Sequence, residues 1–142
     1  MTREQIEDAL VAHLVAGLAS PVISNPFGTD DDAVRRQLKH GLVVVTYAGG
    51  KGGANQEYGL LQEQTVRWSL ICLARSYRSA SERGDAALAL LDHVHAVLDG
   101  WWMDPPGARW MFESERPAPL STEWRGVMAY QITVSIPVTV ER

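Results

Sequence analysis

This 142-residue sequence has a single cysteine, a small net charge and no long apolar run. Cys72 is its one cysteine, so the chain forms no intrachain disulfide and holds no zinc site built from several cysteines. No stretch reaches the roughly 18 uninterrupted apolar residues of a membrane-spanning helix. The formal net charge of -4 argues against a protein whose main task is to hold nucleic acid through its phosphates.

The composition is otherwise that of an ordinary globular protein, with 46% hydrophobic and 21% charged residues. A chain of this length is close to the usual size of one domain, so we expect a single domain over residues 1–142. Residues 2–5 carry polar side chains where a secretory signal peptide needs an apolar run. The sequence therefore predicts a protein that is made and kept in a reducing cytoplasm, unless it leaves as part of a larger particle.

The clearest predicted element is a long central strand over residues 64–76. Apolar residues recur at every second position on one side, namely Val66, Trp68, Leu70, Cys72 and Ala74. The other side mixes Ile71 and Leu73 with Arg67 and Arg75. This mixture predicts that the second side is covered near the C-terminal end of the strand and exposed near its start. On the apolar side, the Cys72 thiol is expected to be buried and inert.

Helical patterns precede and follow this strand. Thr2 and Gln5 have the spacing of a capping box, which predicts a helix that begins there and ends by about Ala19. Residues 82–99 form the second amphipathic pattern. A short helix is predicted over residues 31–39, because acids stand at its start and bases toward its end.

Three further strands are predicted, over residues 41–47, 109–115 and 124–141. The resulting order of elements predicts an α+β fold with a four-stranded, mostly antiparallel (mixed) sheet. Both main amphipathic helices are expected to pack on one face of this sheet. The second face would then be partly polar and available to a partner.

Residues 48–59 are rich in glycine. They resemble a phosphate-binding loop only superficially, because Val45 and Gly52 stand where that motif requires a glycine and a hydroxyl side chain. Glycine-rich backbone loses much entropy when it is fixed. We therefore predict a mobile hairpin connection here that becomes ordered against another chain.

The polar residues form no recognisable catalytic or metal-binding pattern. His93 and His95 are two apart, which places them about 200° from each other around a helix and prevents joint binding of one metal. The carboxylates Glu113, Glu115 and Glu123 lie near a proline-rich break, and a pair of them facing across a hairpin is the one candidate for acid–base chemistry. Neither a nucleophile nor a cofactor motif accompanies them, so no enzyme and no cofactor is predicted.

Several short phrases of the sequence resemble a known family. They are Thr-Tyr-Ala-Gly-Gly at 46–50, Gln-Glu-Gln-Thr-Val-Arg-Trp-Ser-Leu at 62–70, Ala-Leu-Ala-Leu-Leu-Asp at 87–92 and Tyr-Gln-Ile-Thr-Val-Ser-Ile-Pro at 130–137. Together with the N-terminal amphipathic helix, they are similar to the small tail-module proteins of Mu-like phages and prophages. The resemblance spans most of the chain and contains no catalytic signature.

This resemblance implies a tail terminator, a virion structural protein that forms a hexameric ring. Such a ring caps the tail tube, stops its growth and provides the surface for head–tail joining. The implied partners are further copies of this chain, the tail-tube protein and a head-completion or neck protein. Genome DNA would pass through the ring without specific binding, and no membrane is involved. The implied location is the neck end of the tail in the virion, after tail assembly in the host bacterial cytoplasm.

On this hypothesis, the glycine-rich connection and the charged side of the central strand meet the neighbouring subunit or the tube. The candidate interface residues are Gly49, Gly50, Lys51, Gly52, Gly53, Glu57, Tyr58, Arg67 and Arg75. The alternative for the two arginines is that they are only solvated strand residues.

Two other functions stay open. The chain could be another neck, tail-completion or head-closure protein of the same module, which every composition argument fits equally well. It could also be a small ligand-binding or enzymatic α+β domain, for which a pocket with convergent polar groups would be the sign.

Overall fold

A computed structural model of the chain describes residues 2–24, 41–56, 61–75, 80–104, 107–118 and 127–141. The elements over these residues are α1 (Arg3–Gly17), β1 (Val22–Ser24), β2 (Leu42–Gln56), β3 (Leu61–Arg75), α2 (Ala80–Leu98), β4 (Trp102–Met103), β5 (Ala108–Arg109), β6 (Met111–Pro117) and β7 (Val127–Glu141). The predicted α+β class with a mainly antiparallel, mixed sheet is confirmed.

The main sheet in the described residues has five strands in the order β1-β2-β3-β7-β6. β1 runs parallel to β2, and the other three neighbouring pairs are antiparallel. A separate two-stranded ribbon joins β4 and β5. The predicted count of four strands was wrong, because β1 was missed. Its three residues are too few to show the period-two alternation by which a strand is recognised.

α1 begins as its sequence predicts. The Gln5 backbone N–H donates to Thr2 Oγ1 at 3.1 Å, and the Thr2 N–H donates to Gln5 Oε1 at 2.8 Å, so the capping box is confirmed. The helix ends at Gly17, where a Cβ atom would lie 2.7 Å from Val97 Cγ2. Glycine therefore allows α2 to approach the end of α1 closely.

α2 runs from Ala80 to Leu98, close to the predicted 82–99. Gly100, just beyond its end, has a φ of 72°, a conformation that glycine adopts without steric cost. The short helix predicted over residues 31–39 lies outside the described residues.

The glycine-rich segment differs from its prediction. β2 does not end near residue 47 but continues to Gln56, paired with the first half of β3. The register shifts between Tyr47 and Gly49, and Gly49 has a φ of 104° at this bulge. The prediction of a mobile connection was therefore wrong for residues 49–56, because β3 begins early enough to pair with them. Residues 57–59 lie outside the description.

The C-terminal strands are close to their predicted positions. The predicted strand 109–115 is divided at Trp110, because Ala108–Arg109 pairs with β4 and β6 begins only at Met111. β7 begins at Val127, and residues 124–126 of its predicted range are not described.

The period-two pattern of β3 corresponds to its burial. Its apolar side belongs to one buried cluster that also contains residues of α1, α2 and β7. The buried members from the helices are Ile6, Leu10, Leu14, Leu90, Leu91, Val94 and Leu98. On the opposite side, Leu73 belongs to a second buried cluster, whereas Glu63 near the start of the strand is exposed. The prediction that this side of the strand is covered near its C-terminal end and exposed near its start is therefore confirmed.

Replacement of Thr2 by alanine is expected to lower the free energy of unfolding by about 1 kcal/mol, because the Gln5 N–H loses its acceptor at the helix start. Urea unfolding followed by circular dichroism measures this change. Thr2→Ser retains the hydroxyl and is the matched control, which should stay close to the parent protein. An equal loss in both variants would contradict a capping role.

Cys72 is fully buried, and burial together with the nearby Glu115 carboxylate raises the pKa of its thiol to about 12. At pH 8 a thiol reagent should label the folded protein ~1,000-fold more slowly than the urea-unfolded chain, in which the thiol regains its ordinary pKa of 9.0. The neutral buried thiol contributes its full stability below pH ~9, and this contribution is lost as the pH rises toward 12. Equal labelling rates in the two states would contradict the burial of Cys72.

Candidate functional site

β2, β3 and β7 extend together beyond the two edge strands. β1 pairs with β2 only at Val43–Val45, and the pairing of β6 with β7 ends at Ser135. The ladders of β3 continue past both of these points. We call the resulting three-stranded end the arm, which consists of residues 50–56, 61–66 and 136–141. Within the described part of the chain, neither edge strand pairs with the arm.

Glycines bring the β2 part of the arm close to β3. A Cβ atom on Gly50 would lie 3.3 Å from the Thr65 carbonyl oxygen, and one on Gly53 would lie 3.0 Å from the Glu63 carbonyl oxygen. Larger residues at these positions would push the two strands apart. Lys51 lies between these glycines, opposite Thr65, and its side chain is exposed. No side chain in the described residues hydrogen-bonds to its ammonium group.

The first turn of α1 is bonded to the base of the arm. Arg3 donates from Nε to the Tyr47 hydroxyl at 2.9 Å and from Nη2 to Gln64 Oε1 at 3.3 Å. Four residues further along the helix, Glu7 Oε1 accepts a hydrogen bond from the Trp68 indole N–H at 3.1 Å. These contacts fix the helix start against β2 and β3.

Arg67 lies on the other side of β3 and is bound within the chain. Its Nε donates to Glu113 Oε2 at 2.7 Å, and the pair reaches across β7 at Ser135, which is small enough to allow this crossing. Arg67 therefore has a partner within its own chain in addition to its contact with solvent. Arg75 lies at the far end of β3, where its backbone pairs with Val127, and its side chain is outside the description.

A bulge in β6 separates the two described candidate carboxylates. The register with β7 shifts between Phe112 and Ser114, so Glu113 is the extra residue. Glu113 binds Arg67, whereas Glu115 Oε1 lies 2.8 Å from His95 Nε2 on α2. The acid–base pair considered from the sequence is therefore not formed by these two residues. Its third candidate, Glu123, lies outside the described residues.

A cavity of about 350 Å³ lies between the C-terminal end of α2 and β6. Its buried lining is apolar and comes from Leu98, Ile132 and Val134. Met111 and Phe112 line it from β6 and are 59% and 53% exposed. His95 and Asp99 contribute the polar lining. The volume falls near the lower end of the range for small-ligand pockets, about 300–1,000 Å³.

Trp110 joins this cavity to a series of aromatic rings. Its ring is stacked on Trp101 with centroids 5.7 Å apart and meets Trp68 edge-on at 5.8 Å. Trp101 also stacks on His13 at 3.8 Å. The buried indole N–H of Trp110 has no hydrogen-bond partner among the described residues. The aromatic surface beside the cavity is therefore rigidly supported from behind.

Asp99 makes the cavity electronegative at its helix side. It directly follows the last residue of α2, at the end of the helix where the macrodipole is negative. No basic side chain of the described residues pairs with its carboxylate, whereas Glu115 nearby is paired with His95. The arrangement favours a cation that has an apolar stem.

The structure brings together only some of the predicted interface residues. Residues 49–53 lie in one strand beside the first half of β3. Lys51 shares a sheet side with Arg67, because its ladder partner Thr65 is two residues from Arg67. Glu57 and Tyr58 lie outside the described residues. Sequence reasoning missed Asp99 and the cavity, and the exposed apolar residues at the start of β6 were the only signal for them.

Replacement of Arg67 by methionine is expected to lower the free energy of unfolding by about 1 kcal/mol or less, because both partners of the ion pair are partly exposed. Urea unfolding of Arg67→Met, Glu113→Gln and the double variant measures the coupling between them. A coupling of several kcal/mol would contradict a minor structural role for this pair.

The described residues contain neither a metal-binding cluster nor a membrane-spanning helix. The described residues contain no group of three or more His, Cys, Asp or Glu side chains placed to hold a metal ion. Among the described helices, none is both long and apolar enough to cross a membrane. The sequence matches no protein-family model and no curated protein.

Proposed function

We propose that this chain is a tail terminator subunit of a Mu-like phage or prophage, a virion structural protein that assembles into a hexameric ring. The ring would cap the tail tube, end its growth and provide the surface for joining to the head. The resemblance of four sequence phrases to Mu-like tail-module proteins is the starting point of the proposal.

One structural observation carries the proposal further. Toward its two edges, the sheet exposes surfaces of different chemistry. On the β2 side lies the arm, with its glycines and the exposed Lys51. On the β6 side lie the cavity and the exposed Met111 and Phe112. Identical subunits that meet through two different surfaces associate head to tail, and they close into a ring when the rotation between neighbours is suitable.

The arrangement of the core supports the use of the second sheet face by a partner. Buried residues of α1 and α2 share one cluster with alternate residues of β3 and β7, from which we infer that both helices cover the same face. Near the arm, the opposite face carries the polar residues Thr65, Arg67 and Ser69. This polar surface would contact the tail-tube protein or the head-completion protein at the neck, with genome DNA passing through the ring.

The mass of the purified protein tests the proposal. Light scattering on a sizing column, at several concentrations and two salt levels, should give a species of six chains or a monomer that converts to it as the concentration rises. A terminator subunit that assembles only on its tube would instead remain monomeric and bind the purified tail-tube protein. A monomer that also fails to bind the tube protein would contradict the proposal.

Replacement of Gly53 by valine is expected to disrupt the arm and to abolish ring formation while the core stays folded. A Cβ atom there would lie 3.0 Å from the Glu63 carbonyl oxygen, which belongs to the backbone and has little freedom to move. Light scattering measures assembly, and circular dichroism checks the fold. Thr46→Val in the body of the same strand is the matched control and should assemble normally. Normal rings from Gly53→Val would exclude the arm from the interface.

The cavity favours a small ligand-binding domain as the second candidate function. Its aromatic lining and the Asp99 carboxylate are suited to an organic amine. A chain that stays monomeric, ignores the tube protein and binds such an amine would support this candidate instead.

A further inference from the structure

The arm and the cavity have complementary chemistry on opposite sides of one molecule. Lys51 is the one cation among the arm's described side chains, and it is exposed. Asp99 is the one acidic residue that lines the cavity. β3 and β7 lie between β2, which carries Lys51, and β6, which borders the cavity. Lys51 is therefore two strands away from the cavity of its own chain. They can meet between two copies that associate head to tail.

The cavity is suited to an alkyl ammonium group in particular. The buried Leu98, Ile132 and Val134 offer apolar contact to a methylene stem. The rings of Trp110 and Phe112 attract a cation to their faces. Asp99 then adds a carboxylate at the negative end of α2, where a cation offsets both charges. A lysine side chain combines this stem and this charge.

The surroundings of Lys51 allow such a side chain to enter a concave site. The two residues on either side of it, 49–50 and 52–53, are all glycines, so no neighbouring side chain along the strand adds bulk beside it. Another protein surface can therefore come close to the backbone of β2 at this point. A lysine on an ordinary strand would be separated from a cavity wall by the side chains next to it.

We propose that Lys51 of one copy inserts into the cavity of the neighbouring copy, with its ammonium group against Asp99 and its stem against Trp110 and Phe112. This contact rests on the proposed ring and names the residues through which successive subunits recognise each other. The contact is heterologous, since each subunit contributes Lys51 on one side and the cavity on the other.

Charge exchange tests the contact. Lys51→Asp and Asp99→Lys should each raise the concentration at which the ring forms by at least about tenfold, because like charges then face each other. The double variant restores opposite charges and should return within about threefold of the parent protein. Glu63→Lys on the arm and Asp92→Lys on the exposed side of α2 are the matched controls and should assemble normally. Single variants that assemble like the parent, or a double variant no better than either single one, would overturn the contact.

Zero-length crosslinking separates this contact from the ring itself. A carbodiimide joins an amine to a carboxylate only when the two touch, so mixed isotopically labelled and unlabelled chains should yield a hybrid peptide linking Lys51 to Asp99. Rings without this peptide would overturn the contact and leave the ring proposal standing. Monomers without the peptide, which also ignore the tail-tube protein, would overturn both.

A free amine tests the other possible occupant of the cavity. Butylammonium should weaken ring formation by competing with Lys51, and Asp99→Asn should reduce this effect. Tight binding of butylammonium to the cavity, measured by tryptophan fluorescence, with no hybrid peptide in the crosslinking experiment, would assign the site to a small amine and overturn the role of Lys51.

Discussion

The ladder of β3 is the constraint on which the rest of the structure depends. All fifteen residues of this strand pair with β7 and twelve of them also pair with β2, antiparallel in both cases. A slip of one residue would turn Trp68 and Leu70 away from the buried cluster and bring Arg67 into it. Because both neighbours would have to slip with it, the register of three strands is fixed together. The hydrogen bond between Trp68 and Glu7 then relates this register to the position of α1.

Two bulges allow this rigid ladder to present different chemistry along its length. The shift at Gly49 changes which β2 residues share a sheet side with the buried Trp68, so that Tyr47 lies against Trp68 while Lys51 lies on the opposite side. The shift at Glu113 does the same in β6, where it frees one carboxylate to cross β7 toward Arg67. In each case one extra residue redirects a charged side chain without disturbing the buried pattern. The surfaces that we assign to assembly are consequences of these bulges.

Buried apolar contacts and exposed charged contacts contribute differently to the stability of the subunit. Burial of apolar side chains from α1, α2, β3 and β7 supplies most of the stability of the subunit. Exposed pairs such as Arg67 with Glu113 add little to it. A charged contact that fills an apolar cavity in a neighbour acts differently, since it decides which surfaces match and therefore the direction of assembly. In the assembly that we propose, the apolar core would stabilise the subunit and the charged contact would act at the step at which copies meet.

The sequence by itself determined the local features of this protein, because they depend on neighbours along the chain. The capping box at Thr2, the two main helices and the alternating burial of β3 all follow from periodicity and propensity. Tertiary structure decided what depends on residues distant in sequence. Only pairing with β3 turned the glycine-rich residues 49–56 into a strand, and only pairing with β2 made a strand of β1. The cavity beside Asp99 arises where the end of α2 passes β6, a meeting of segments that no spacing along the chain records.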